Sequence, residues 1–212
     1  MQIFGALKMG GATIYPLSIL CIVALALVFD KILFYQKKGV FPANLRRLIA
    51  TSNFSWSELQ DQLQKVQPTN IYRNFFEIIL KNRSQPIWWL ESRGNDEAKI
   101  IEKKLDSALW ILETIVTAAP LLGLLGTIFG MMSAFKLIGA DALVNPGGIT
   151  AGVAEALIAT AFGLTIAIFA LFAFNLFSRV QNHILDELEL LGTRLIDKIK
   201  LENGLKKIEK LQ

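Results

Sequence analysis

Three apolar runs, each long enough to cross a bilayer, constrain this chain more than any other feature. They extend from about Ala12 to Phe34, from Ile115 to Ile138 and from Gly152 to Phe177. Roughly 20 such residues wound as a helix match the hydrocarbon thickness. With 53% hydrophobic and only 19% charged residues, the chain falls among polytopic membrane proteins rather than disordered or disulfide-rich secreted ones. The predicted fold class is all-α: three transmembrane helices, with long helices extending into a cytoplasmic helical region.

The first run contains the cleavage-like triplet Ala24-Leu25-Ala26. Its flanks argue against a signal peptide: only Lys8 precedes it, the apolar run continues to Phe34, and Lys37-Lys38 follow. Basic residues then set the orientation. The stretch from Tyr35 to Thr114 carries most of the Lys and Arg, and the tail after Ser178 carries most of the rest. The connector from Gly139 to Ala151 has only Asp141. The positive-inside rule puts the amino terminus and the connector outside, and the middle segment and tail in the cytoplasm. The expected organisation is an amino-terminal segment and first span over 1–34, a cytoplasmic helical region over 35–114, and a second span over 115–138. An outside loop over 139–151, a third span over 152–177 and a helical tail over 178–212 complete it.

Several function classes lose support at this stage. The net charge of +4 reports membrane topology rather than nucleic-acid binding. The lone cysteine, Cys21, sits mid-run and reads as a small lipid- or core-facing residue, and the only histidine is His183. No cluster has metal-ligand spacing, and no phosphate loop, nucleophile motif or other catalytic constellation is visible. Neither a metal, a cofactor nor enzymatic activity is therefore expected. A solute transporter fits poorly because no inverted repeat or interrupted helix frames a mid-membrane site.

Outside the spans the pattern is helical. "NDEAKIIEKKLDSALWILETIV" opens with Asn95 as an N-cap and Asp96 and Glu97 in the first turn. One continuous helix from Asp96 to Ile138 is predicted. Beyond the third span, Val180, Ile184, Leu188, Leu191, Leu195 and Ile199 recur at spacings of three and four, a stripe that packs on other helices or on another subunit. "IYRNFFEIILKNR" forms a further amphipathic helix with Ile71, Phe75, Ile78 and Ile79 on one side. Breakers in "QKVQPTN" and "KNRSQPIWWLESRGN" separate these helices. Trp88 and Trp89 read as interfacial or packing residues.

Two of the spans share a pattern. In the second, Ala119, Gly123, Thr127, Gly130 and Ala134 fall on one side at spacings of four, four, three and four, with Gly126 beside them. In the third, Gly152, Ala156, Thr160, Gly163 and Ala167 repeat the same spacings. Small residues let helix backbones approach closely in lipid, so plain helix packing is one reading. The threonines sharpen the alternative. At 1.5 Å per residue, Thr127 and Thr160 lie roughly 18 and 24 Å from the inner ends of their spans, both near the midplane. They form a polar ring if several copies assemble, or each hydroxyl bonds back to its own helix.

Glu155 lies about one turn inside the outer boundary of the third span. Ionised and facing lipid it costs roughly 3 kcal/mol, so it must face protein or water. It is either an inter-helix partner, for instance of Lys136, or an ion-path carboxylate. No Asp, Glu or His lies at mid-membrane depth in any span. A proton crossing there needs a water-filled path or a carboxylate from a partner.

The stretches "APLLGLLGTIFGMMSAF" (Ala119 to Phe135) and "GVAEALIATAFGL" (Gly152 to Leu164) resemble the ExbB/TolQ/MotA family of proton-driven energiser and stator subunits. Three spans and a short chain are closer to ExbB, then TolQ, than to the four-span MotA. The resemblance implies a homopentamer in a bacterial inner membrane, with the second and third helices around a central pore. An ExbD/TolR-like single-span partner supplies a membrane aspartate, and a TonB-like or TolA-like protein takes the mechanical output. Thr127 and Thr160 match the family's pore-facing threonines and Glu155 its motif glutamate. Ala119, Gly123, Gly126, Gly130, Ala134, Gly152, Ala156, Gly163 and Ala167 then pack the helices around that pore. A non-conducting membrane scaffold, whose glycines serve only oligomerisation, is the rival reading.

Overall fold

A computed structural model describes residues 11–39, 41–51, 54–139 and 146–209. Lys8, a flank of the first apolar run, and Asp141, in the connector, lie outside the described residues. Among the described residues regular structure is helical throughout: α1 (Ile14–Lys38), α2 (Ala43–Ala50), α3 (Trp56–Gln64), α4 (Ile71–Lys81), α5 (Ile87–Asp106), α6 (Leu109–Gly139) and α7 (Pro146–Glu209). Three helical stretches are long and apolar enough to cross a membrane, with windows beginning in α1, α5–α6 and α7. The chain is an all-α membrane protein, as its composition predicts.

Contacts divide it into two units. One holds Met1–Asp30 with Ala108–Phe177, the other Lys31–Ser107 with Ser178–Gln212.

In the first unit the outward faces are apolar: Tyr15, Ile19, Ile22, Leu25 and Phe29 on α1, and Leu121, Leu124, Ile128 and Phe135 on α6, are all exposed. A helix apolar on every side belongs in lipid. Among the buried residues are small ones, Ala119, Ala134, Ala156, Ala159 and Ala170, beside larger ones such as Leu17, Leu112, Ile115 and Ile166. Pro120 lies inside α6. It removes one backbone donor from the helix ladder, which membrane helices tolerate where neighbours re-satisfy the freed group.

The second unit has a conventional side-chain core. Leu45, Ile49, Leu59, Leu63, Tyr72, Phe76, Ile79, Leu90, Ile101 and Leu105 bury against the stripe of α7, where Ile184, Leu188, Leu191, Leu195 and Ile199 are all inside and Val180 packs at the edge. That stripe is thus covered by helices of its own chain. α4 is capped by Asn70, whose side chain accepts the Tyr72 N–H at 3.0 Å. It buries Ile71, Tyr72, Phe75, Phe76 and Ile79, while Ile78 is only partly covered. Phe41 packs on Tyr72 with ring centroids 4.6 Å apart. Glu187, nearly buried, pairs with Arg46 and accepts the Tyr72 hydroxyl at 3.3 Å. Burial, then the Glu187 charge, push that phenol above its ordinary range.

One element differs from expectation. The helix predicted from Asp96 to Ile138 is two helices. α5 begins at Ile87, behind Pro86, and places Asn95 in its interior. Gly94 is buried within this helix, and a Cβ there would lie 3.9 Å from the Phe75 ring, so the Gly-Asn pair does not break it. The chain then breaks at Ser107 (ψ 126°) and at Ala108, whose φ of +67° is left-handed. The Lys31 Nζ donates to the Leu105 carbonyl at 2.6 Å, and the Ser107 hydroxyl donates to Lys104 O at 2.7 Å. Side chains thus satisfy carbonyls that the interrupted helix leaves open.

Candidate functional site

The small-residue stripes of α6 and α7 face each other within the first unit. A Cβ placed on Gly163 would lie 2.5 Å from the Ala119 carbonyl oxygen, and one on Gly123 3.1 Å from the Ala159 oxygen and the Thr160 Cα. Further along, Gly130 would meet Ala156 Cβ and the Gly152 oxygen at 2.9 Å, and Gly152 would meet Ala134 Cβ at 2.9 Å. The two helices therefore run antiparallel, backbone against backbone, with no room for a methyl group at these crossings. Ala167, one turn beyond Gly163, is buried as well. Gly126 lies against Ala159 and also against Thr13, whose hydroxyl would be 2.6 Å from a Gly126 Cβ. The start of the first span therefore joins the same packing.

The two threonines do different things. Thr160 reaches across the helix pair: its hydroxyl donates to the Gly123 carbonyl at 2.9 Å. Thr127 bonds back to its own helix, donating to Leu124 O at 2.6 Å. The two hydroxyls thus bond to the carbonyls of consecutive α6 residues, Gly123 and Leu124, which places them at nearly one level of the pair. Both threonines are partly covered. Polar side chains satisfied in this way are tolerable in an apolar surround.

Glu155 is partly buried, but not beside Lys136. Lys136 is exposed, and among the described residues no ion pair joins the two. Glu155 instead folds toward the residues before α1. A Cβ on Gly11 would lie 1.7 Å from Glu155 Oε1 and 2.8 Å from its Cδ. Gly11 has a φ of +63°, a conformation that favours glycine. Its carbonyl accepts the Ile14 N–H at 3.2 Å, which places it at the amino end of α1, where a negative charge is favoured. Gly11 and Thr13 are the residues the sequence reading missed. The available signal was the Gly10-Gly11-Ala12-Thr13 stretch directly before the first apolar run.

Among the described residues no group of three or more His, Cys, Asp or Glu could hold a metal ion. What this arrangement offers chemically is two hydroxyls and a carboxylate in an otherwise apolar helix bundle. Such groups are able to coordinate or relay an ion.

The chain is similar to known proteins. The family described as the MotA/TolQ/ExbB proton channel family matches residues 67–190. The chain is 40% identical over 94 residues to the biopolymer transport protein ExbB of Xanthomonas campestris pv. campestris, covering 44% of this chain and 37% of that protein. It is 41% identical over 87 residues to the biopolymer transport protein ExbB of Aquifex aeolicus, covering 41% and 59%. It is 42% identical over 77 residues to the Tol-Pal system protein TolQ of Pseudomonas aeruginosa, covering 36% and 33%. In each case the matched stretch spans less than two thirds of the relative's own length.

Proposed function

The chain belongs to the MotA/TolQ/ExbB proton channel family, and from that premise we propose that it is the pore-forming subunit of an ExbB/ExbD-type energy-transducing complex. In this reading several copies, five by the family resemblance, surround an axial path in a bacterial inner membrane, amino termini outside. Thr127, Thr160 and Glu155 lie along the path, and the glycines and alanines of α6 and α7 hold the helix pairs that build its wall. A single-span ExbD/TolR-like partner supplies the mid-membrane carboxylate that this chain lacks. Its protonation from outside and release toward the cytoplasm alternate a charged and a neutral state. Because a charge at mid-membrane costs roughly 3 kcal/mol, each state favours a different position of the partner against the hydroxyls. Ion flow thereby becomes displacement, delivered to a TonB-like or TolA-like protein. The role is ion conduction and mechanical coupling, not catalysis.

The observation that carries this reading is that Thr160 bonds across to the Gly123 carbonyl and Thr127 to the adjacent Leu124 carbonyl, in a helix pair whose middle contains no acid. The test substitutes Thr127→Ala and Thr160→Ala singly in the full chain, expressed with its single-span partner. Complexes should assemble in normal amount while proton-driven uptake is lost. Normal uptake in both variants would remove the path assignment.

The similarity to TolQ favours a second output within the same mechanism, a motor for envelope maintenance. Deleting the gene separates the two: loss of energised outer-membrane uptake marks the first, and leakage of periplasmic protein with intact uptake marks the second.

A further inference from the structure

We infer that Gly11 is a positioning residue for Glu155: a side-chain-free, left-handed backbone seat at the start of the first span that holds the carboxylate in one place. The functional weight of this rests on the reading of Glu155 as an ion-path group; the geometry does not.

Three observations converge on the seat. The tip of the glutamate meets Gly11, since a Cβ there would come within 1.7 Å of Oε1, 2.8 Å of Cδ and 3.3 Å of Cγ. The distances grow from the carboxyl oxygen back to Cγ, so the carboxylate stands end-on against the glycine in space that a Cβ would occupy. Second, the φ of +63° is one that residues with a Cβ adopt at a cost, so conformation and space select the same residue. Third, the seat is anchored. The Gly11 and Thr13 carbonyls accept the N–H groups of Ile14 and Leu17 at 3.2 and 3.3 Å, and the Thr13 side chain lies over Gly126. Segment 11–13 is therefore fixed to the α6–α7 pair, and it carries Glu155 with it. The carboxylate gains the favourable field of a helix start, which answers how an acid is tolerated in an apolar span without Lys136. The start of the first span thus sets the position of a path residue.

A four-member cycle on the full-length chain in membranes tests this: wild type, Gly11→Ala, Glu155→Asp and the double variant. The readout is the rate at which a hydrophobic carbodiimide modifies residue 155, followed by mass spectrometry, together with the amount of folded protein. In Gly11→Ala the methyl evicts the glutamate, and modification rises several-fold. In Glu155→Asp the shorter carboxyl leaves the seat empty, and modification rises as well. In the double variant the methyl fills the space left by the lost methylene, so modification falls below that of Glu155→Asp alone. Where Gly11→Ala fails to accumulate, recovery of folded protein in the double variant carries the same meaning. Backbone strain alone would make Gly11→Ala raise the rate, or lower the yield, equally in both backgrounds; that result, or no change in either, overturns the proposal. None of these readouts uses ion flow. A positive cycle alongside full activity of Glu155→Gln would therefore sink the ion-path reading of Glu155 and leave the seat standing.

Discussion

The Thr160 hydroxyl donates to the Gly123 carbonyl at 2.9 Å across two antiparallel helices that meet elsewhere through glycines and alanines. The bond is possible only because Gly123 and Gly163 let the backbones approach. It also lies within one turn of Thr127, so packing and the candidate ion path share the same few residues.

Thr160→Val separates those two roles. The Gly123 carbonyl keeps its ordinary helical donor, and inter-helix hydrogen bonds in membranes average only about 0.6 kcal/mol. Unfolding of the variant in mixed micelles should shift by less than about 1 kcal/mol, while proton-driven uptake falls to background. A large stability loss would reassign Thr160 to structure.

Gly163→Ala should loosen the helix pair. Its methyl meets the Ala119 carbonyl oxygen at 2.5 Å, a backbone atom that cannot rotate away, and overpacking of this kind costs about 1–3 kcal/mol. Gly204→Ala is the control: it lies in α7 with nothing within 4 Å. There the change should stabilise by about 0.5–1 kcal/mol. Unfolding midpoints measured side by side should move in opposite directions.

Lys31→Met should unsettle the break between α5 and α6. It removes the donor held by the Leu105 carbonyl and leaves a buried acceptor unpaired, at about 1–3 kcal/mol. Amide exchange at Asp106 to Leu109 should accelerate more than exchange in the core of α4. Uniform acceleration would mean that Lys31 does not act on the break.

Glu77 makes a pH-dependent contribution of known sign. Hydrogen bonds from Lys81 and Arg73 hold its carboxyl below the ordinary value of 4.5, at 2.9 and 2.6 Å. A depressed folded-state pKa gives stability that is present above the unfolded value and is lost as pH falls through the folded one. Glu77→Gln should therefore cost about 0.5 kcal/mol at neutral pH, the scale of surface i,i+4 pairs. The gap to wild type should close below about pH 4 as the carboxyl protonates. A gap that persists there would show that the carboxylate's charge is not its source.

Much of the architecture was readable from residue order. The spans follow from length and apolarity, and the long α7 from an apolar run that passes unbroken into the stripe from Ile184 to Ile199. The matched small-residue stripes of α6 and α7 mark a close helix approach in the sequence itself. Other features carry no local mark. Asp106-Ser107-Ala108 contains neither glycine nor proline, yet the helix breaks there, with Lys31, 74 positions upstream of Leu105, filling an open carbonyl. Gly94-Asn95 has the composition of a breaker and is helix interior. Lys136, the nearest cation by helical position, does not pair with Glu155.

Residue order alone dictated which segments leave water and which faces seek close contact, because hydropathy and helical period are properties of neighbouring residues. The partner of each face was decided only in three dimensions. That Gly163 meets Ala119, that Thr160 reaches Gly123 and that Glu155 rests on Gly11 all depend on how distant helices dock. A small residue or a carboxylate states what it needs, and only the packed bundle determines which atom meets the need.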